Sequence, residues 1–179
     1  MHHETLCDQT HREPAAPDET PETMLARDYD LDCSIARSLE LIGERWSLLV
    51  IRDVFIGNRR FDQIQSSLGV ARNVLASRLD RLIEEGILEK RAYSERPPRF
   101  EYFLTEKGLD LWPVLVALMH FGDKHSLEPG AEPPMRIVHK DCGGVVSDRR
   151  ICESCGAELD VRDARAVPGR VAEPASIPA

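Results

Sequence analysis

No stretch of this chain approaches the ~18 uninterrupted apolar residues that a membrane-spanning helix requires, so no membrane partner is expected. The amino terminus lacks the basic start and apolar core of a signal peptide, which argues against secretion and for a cytoplasmic protein. There is no Ser-His-Asp order, no phosphate-cradling glycine loop and no HExxH pair, and on those grounds an enzyme is not expected. Paired cysteine usage is missing as well. The five cysteines are Cys7, Cys33, Cys142, Cys152 and Cys155, and an odd count without a signal sequence argues against a disulfide scaffold. In a reducing compartment, clustered cysteines more often bind metal or sense oxidants.

Large apolar residues are scarce at both ends. Residues 1–32 include "HHETLCDQTHREPAAPDETPET", a polar and acidic stretch that buries too little surface to offset the entropy of ordering. It is expected to be a disordered tail, in which Cys7 is incidental and His2-His3 is too short for a metal tract. Residues 169–179 are expected to be disordered too. The formal net charge is -8, but it is unevenly spread. Residues 1–32 carry 2 basic and 9 acidic side chains, residues 33–105 carry 12 and 10, and residues 106–179 carry 9 and 12. The middle is the only net-basic part, and a local patch is what binds phosphate, so the acidic total does not exclude nucleic acid.

Hydrophobic periodicity organises that middle part. "CSIARSLELIG" repeats apolar residues at Ile35, Leu39 and Ile42, a helical spacing. "RWSLLVIRDVFIG" is apolar nearly all round and reads as a buried central helix. "RFDQIQSSLG" gives a short helix with Phe61, Ile64 and Leu68 on one face. After a turn at Gly69-Val70, "ARNVLASRLDRLIEEG" carries a stripe of Leu75, Leu79 and Leu82. Two helices joined by a tight glycine turn make a helix-turn-helix candidate. The period then changes to two: "ILEKRAY" and "RFEYFLT" read as strands, with "SERPP" as the loop. Phe103 falls on the otherwise polar face of this hairpin, where another segment, for instance the Cys/His module, is expected to cover it. Thr105 is placed to cap a last helix, in which Pro113 should produce a kink. From Leu111 to Phe121 that helix is apolar on every side. One small domain covers one face, so the other is expected to pack on a second copy.

A helix-turn-helix followed at once by a hairpin is a winged helix. Its proline-stiffened tip loses little entropy on docking, and Arg96 and Arg99 there can meet backbone phosphates or enter the minor groove. The segments "CSIARSLELIGERWSLLVIRDVFIGNRRFDQIQSSL" and "LASRLDRLIEEGILEKRAYSERPPRFEYFLTEKG" resemble the HxlR family of bacterial, MarR-like transcriptional regulators. The resemblance runs from about Cys33 to His125. It implies a cytosolic homodimer that binds double-stranded DNA, with the helix before the wing in the major groove and the terminal helices at the dimer interface. The chain departs from the family in having Ala71 where Ser often starts the recognition helix, and Ser34 rather than Pro after Cys33.

Within the recognition helix, Arg72 and Asn73 are best placed for base edges, since Arg matches guanine and Asn adenine bidentately. Ser77, Arg78 and Arg81, with Arg91, Arg96 and Arg99 of the wing, complete the candidate DNA-binding set. Any one of them could instead be only a solvated side chain. Cys33 resembles the cysteine that some family members use to sense oxidants or electrophiles. A helix start and nearby Arg37 would favour its thiolate, while the plain alternative is a small buried residue.

After a Pro/Gly-rich linker at 126–134, residues 135–168 read His139-x2-Cys142 and Cys152-x2-Cys155. Two such half-sites, each followed by glycine, suit one tetrahedral zinc. Asp141 could compete with His139. The segment has too few large apolar residues to fold on burial alone, so the metal is expected to be structural, and the module is expected to lie apart from the recognition helix at the end of the linker. His120 and His125 read as packing or surface residues.

The fold expected is mainly α (α+β): a winged helix-turn-helix over 33–125 with a two-stranded wing, plus the small C-terminal Cys/His module. The function expected is a dimeric DNA-binding regulator acting as a repressor, with recognition helix 71–85 in the major groove and wing 88–105 on the backbone or minor groove. The alternatives are a winged-helix/zinc-ribbon module that binds protein, and a redox- or zinc-responsive switch with a small-molecule or redox effector.

Overall fold

The computed structural model describes residues 32–169, which divide into two compact units between Arg45 and Trp46. Except for Asp32 and Gly169, the tails expected at 1–32 and 169–179 lie outside the described residues. The first unit contributes one helix, α1 (Ser34–Ile42). Of its apolar residues, Ala36 and Ile42 are buried, whereas Ile35 and Leu39 are exposed.

The second unit opens with α2 (Ser47–Phe55), α3 (Phe61–Leu68) and α4 (Arg72–Glu84). Val50, Ile51 and Val54 of α2 are buried, but Leu49 and Ile56 are exposed, so this helix is covered on one side rather than all round. Trp46 stands before the helix with a left-handed φ of 81° instead of joining it. At the other end the fully buried Asp53 accepts from Arg52 Nε at 3.1 Å and Nη2 at 2.6 Å, and from Asn58 Nδ2 at 3.3 Å. These bonds satisfy its charge and fix the turn into α3. Gly69 closes α3 at φ +61°, a conformation that favours glycine, and its amide donates to the Gln65 carbonyl at 2.9 Å. Ala71 then starts α4 without any side-chain cap. The expected stripe of Leu75, Leu79 and Leu82 is buried, with α4 packed on α2.

The wing is β1 (Leu88–Glu95) and β2 (Pro98–Leu104), antiparallel from Leu88↔Leu104 to Glu95↔Pro98 with a bulge between Ala92 and Ser94. The expected five-residue loop shrinks to Arg96-Pro97, because the strands pair to the tip and Ser94 Oγ donates to the Pro97 carbonyl at 3.0 Å. The Tyr102 amide donates to the Arg59 carbonyl at 2.8 Å, and Arg60 forms an antiparallel bridge with Glu101. The wing is thus fastened to the start of α3.

Thr105 caps α5 (Glu106–Leu109), its Oγ1 accepting from the Gly108 amide at 3.1 Å. A second helix, α6 (Trp112–Ser126), follows. The single kinked helix expected is therefore two helices. Pro113 lies in the first turn of α6, where a missing N–H costs nothing, and the chain breaks before it. Trp112 and Val116 are buried, while Val114, Leu118 and Phe121 form an exposed stripe on another face.

The C-terminal segment forms β3 (Met135–His139) and β4 (Ala164–Pro168), paired antiparallel from Met135↔Pro168 to His139↔Ala164, with a 3₁₀ turn at Val161–Asp163. Single bridges Val138↔Val145, Val146↔Cys152 and Ile151↔Glu158 build the rest. The linker is not its sole tie to the winged helix. Ile137, Val146, Cys152, Leu159 and Ala164 share one buried cluster with Trp112 and Val116 of α6. His120 Nε2 lies 3.2 Å from the Val146 carbonyl, in the packing role expected of it. Among the described residues, no helix is long and apolar enough to cross a membrane.

Arg52→Met strands the buried Asp53 carboxylate and is expected to cost about 3 kcal/mol. Asp53→Asn leaves no buried charge and should cost less than half of that. Urea denaturation of both variants checks this, and equal losses would show that the charge is not the cause.

Candidate nucleic-acid interface and metal cluster

α4 buries its leucines and turns Arg72, Asn73, Ser77 and Arg81 outward, with Arg78 half-buried. The Arg72 guanidinium lies 4.7 Å from the Phe61 ring centroid, which holds it across the helix-turn-helix toward the wing. Arg81 is engaged by Glu85 at 2.7 Å and Glu84 at 3.9 Å. On the wing, Arg96 and Arg99 are exposed and have no ion pair among the described residues. Arg91 pairs with Glu89 and lies 4.5 Å from the Phe103 ring centroid.

The structure brings Arg60, Arg72 and Arg99 to the walls of one open cleft of about 430 Å³, between α3, the start of α4 and the wing. Arg60 was not singled out as a site residue from the sequence. It bonds to Glu101 at 3.1 Å and lies 4.6 Å from the Tyr93 ring centroid. Its neighbour Arg59 lies 4.6 Å from the Phe103 ring centroid, as Arg91 does at 4.5 Å. The cover expected over Phe103 is therefore two guanidinium groups, which give an aromatic on a polar face both contact and charge. The signal for both residues was the Arg-Arg-Phe run, whose arginines precede α3 and so fall beside the wing.

At the other end of the unit, the ligand atoms of His139, Cys142, Cys152 and Cys155 all lie within 4.8 Å of one another. His139 Nδ1 is 3.3 Å from Cys142 Sγ and 3.4 Å from Cys155 Sγ, and Cys142 Sγ is 3.3 Å from Cys152 Sγ. The two loops are built alike. The Gly143 amide donates to the His139 carbonyl at 2.9 Å and the Gly156 amide to the Cys152 carbonyl at 2.8 Å. Gly143 and Gly156 take φ +71° and +73°, so each loop turns back beneath its sulfurs. Asp141 does not join the cluster; its exposed carboxylate is 3.5 Å from His139 Nε2. The Cys155 amide, more than any other group, lowers the Cys152 thiol to about 6 against the opposing effect of burial. For Cys142 the Gly144 amide is the largest influence and lowers it, but the Cys152 thiol, burial and Cys155 outweigh it, and the group lies above its ordinary value. Such a set, with a thiol already poised to lose its proton, could hold a metal ion.

Cys33 precedes the first turn of α1 and is half-buried. Arg37 pairs with Asp32 at 2.5 Å.

The profile of the HxlR-like helix-turn-helix family matches residues 41–129. An uncharacterized HTH-type transcriptional regulator of Mycobacterium tuberculosis (strain H37Rv) is 44% identical over 136 residues, 76% of this chain and 85% of that protein. The chain belongs to the HxlR-like helix-turn-helix family. A second relative, an uncharacterized HTH-type transcriptional regulator of Synechocystis, is 40% identical over 91 residues, 50% of this chain and 67% of its own length. The crystal structure of PA1607 superposes with a TM-score of 0.62 at 38% identity, covering 76% of this chain and 94% of that one. As an HxlR-like protein the chain is a winged helix-turn-helix transcriptional regulator and not an enzyme. The likeness to the mycobacterial relative is longer than the stretch matched by the family profile.

A Cβ on Gly144 would stand 2.5 Å from Cys152 Sγ and 2.6 Å from Ser154 Oγ. Gly144→Ala should therefore displace a ligand and weaken metal binding by about 10–100-fold, as loss of supporting groups does elsewhere. Competition with a chromogenic chelator measures it; unchanged affinity would mean that the cluster tolerates the shift.

Proposed function

We propose that the protein is a cytoplasmic repressor that binds double-stranded DNA as a homodimer, with α4 in the major groove and the wing on the backbone or minor groove. The convergence of Arg60, Arg72 and Arg99 on one cleft, in a chain of formal net charge -8, carries this reading. Charge kept on one face of an acidic protein has to be held there against dilution, and rings and carboxylates of the fold hold it. Arg72 and Asn73, at the start of α4, are assigned to base edges. Ser77 and Arg78 are assigned to phosphates or adjacent bases, and Arg96 and Arg99 to the backbone. Arg81 and Arg91 each hold a glutamate already and are assigned to peripheral backbone contacts.

Arg72→Ala and Asn73→Ala should each relax sequence preference, at about 1–3 kcal/mol for a lost bidentate base contact. Arg96→Ala should instead weaken binding to all sequences and reduce the salt slope by roughly one phosphate contact. Fluorescence anisotropy on an operator and a scrambled duplex, at several salt concentrations, separates the two. Uniform loss in all three variants would contradict the division between helix and wing.

The two-fold assembly is assigned to the exposed apolar residues of the terminal helices: Ile35 and Leu39 on α1, and Val114, Leu118 and Phe121 on α6. Leu118→Glu should give monomer or aggregate in light scattering. Wild-type protein that stays monomeric at micromolar concentration would remove the basis for a two-fold operator.

The metal assigned to His139, Cys142, Cys152 and Cys155 is one structural zinc, since four protein ligands close a tetrahedral shell and leave no position for water. About one zinc per chain should co-purify. Because the module packs on Trp112, chelation should shift the emission of a Trp46→Phe protein to the red while far-ultraviolet circular dichroism keeps most of its helical signal. Less than about half an equivalent of zinc, or a Trp112 emission that does not move, would contradict it.

A further inference from the structure

A cavity of about 620 Å³ lies between α2, α6 and the β3–β4 sheet. This is within the ~300–1,000 Å³ range of sites for small organic molecules. Leu49 and Phe55 come from α2, Leu115 and Met119 from α6, and Ile137 and Ala166 from the sheet. Trp112 is also in the wall. Its ring is 8% exposed and lies 5.9 Å from Phe55, and its indole N–H is buried without a hydrogen-bond partner. A buried N–H left without an acceptor is costly, and the nearby side chains are apolar. Three charged residues also line the cavity, Arg52, Arg165 and Asp123, and Arg52 is already paired with Asp53.

We propose that this cavity binds a small apolar molecule, of one or two rings or an equivalent chain, that carries one hydrogen-bond acceptor, with the acceptor meeting Trp112 Nε1 after a small rotation of the ring. The walls supply burial for the apolar body, and the orphaned donor selects for a carbonyl or carboxylate. The regulator thereby holds an effector site made jointly by the winged helix and the appended module. The word effector rests on the proposed DNA-binding function; occupancy of the cavity does not, and it is tested without DNA.

The protein labelled with ¹⁵N-tryptophan has two indole N–H resonances, from Trp46 and Trp112, assigned with Trp46→Phe. It is titrated with 2-naphthoate, with 2-acetylnaphthalene and with 2-methylnaphthalene, which has no acceptor. A saturable shift of the Trp112 resonance with at least one of the first two is expected. Trp112→Phe, which lacks the indole reporter and is followed by saturation transfer to the ligand's own protons, should weaken that ligand about fivefold more than it weakens 2-methylnaphthalene, as the loss of one hydrogen bond predicts. Ala166→Trp, filling the cavity from the sheet, should weaken all binding about tenfold or more, with zinc content and circular dichroism unchanged. Whether carboxylate or ketone binds better identifies the acceptor. No saturable shift, or one that Ala166→Trp leaves intact, overturns the proposal. So does an Ala166→Trp protein that turns from dimer to monomer without any ligand binding in the parent, which would make the cavity an interface between copies.

Discussion

The burial of Trp112 and Val116 against Ile137, Val146 and Leu159 is the contact on which the arrangement of this protein depends. The Cys/His segment contains too few large apolar side chains to close a core, and a metal by itself organises only the two loops that carry its ligands. The remaining apolar side of the sheet has to be covered, and α6 covers it. Each fully buried valine- or leucine-sized side chain adds about 1.5–3 kcal/mol relative to exposure. A few such residues shared between module and helix are enough to seat a small module on its neighbour. The same packing commits one face of α6 inward and leaves Val114, Leu118 and Phe121 on another.

Much of this was legible in the sequence because the signals were periodic or chemically specific. The leucine stripe of α4 is spaced so that one face can be buried and the other presented, and Leu75, Leu79 and Leu82 are buried. The alternation in "RFEYFLT" fixes a strand with Tyr102 inward. The two Cys/His half-sites, thirteen residues apart in chain between His139 and Cys152, come together because each glycine turn returns its loop to the same point. What was not legible depended on packing partners. An apolar run cannot say which of its faces is covered, so α2 looked buried all round when it keeps an exposed side. Pro113 announced an irregularity but not its form, since a proline within a helix and one in its first turn look the same in sequence. The seat of the module on α6 had no sequence signal, because contact between distant segments leaves no local period.

The arginines show how a net-acidic chain presents a basic surface. Phe61, Tyr93 and Phe103 each stand beneath at least one guanidinium, at centroid distances of 4.5 to 4.7 Å. An aromatic face attracts a cation without neutralising it, so the charge is positioned and still available. Pairing with a carboxylate positions it too but lowers the local field, as at Arg81 and Arg91. Within one small surface the fold uses both: Arg59 and Arg72 rest on rings, while Arg60 and Arg91 each meet a ring and a glutamate.

The bond from the Tyr102 amide to the Arg59 carbonyl, with the bridge between Arg60 and Glu101, joins the wing to the start of α3. A hairpin held only at its base would swing, and could follow a duplex of any local twist. Fastened also along its second strand, it moves with the helix-turn-helix as one piece. The distance from the tip at Arg96 to the first turn of α4 is then a fixed length, like the gap of a caliper. On the docking proposed above, a duplex whose neighbouring grooves are spaced differently would have to bend or untwist to fill it, at an energy that depends on base steps the protein never touches.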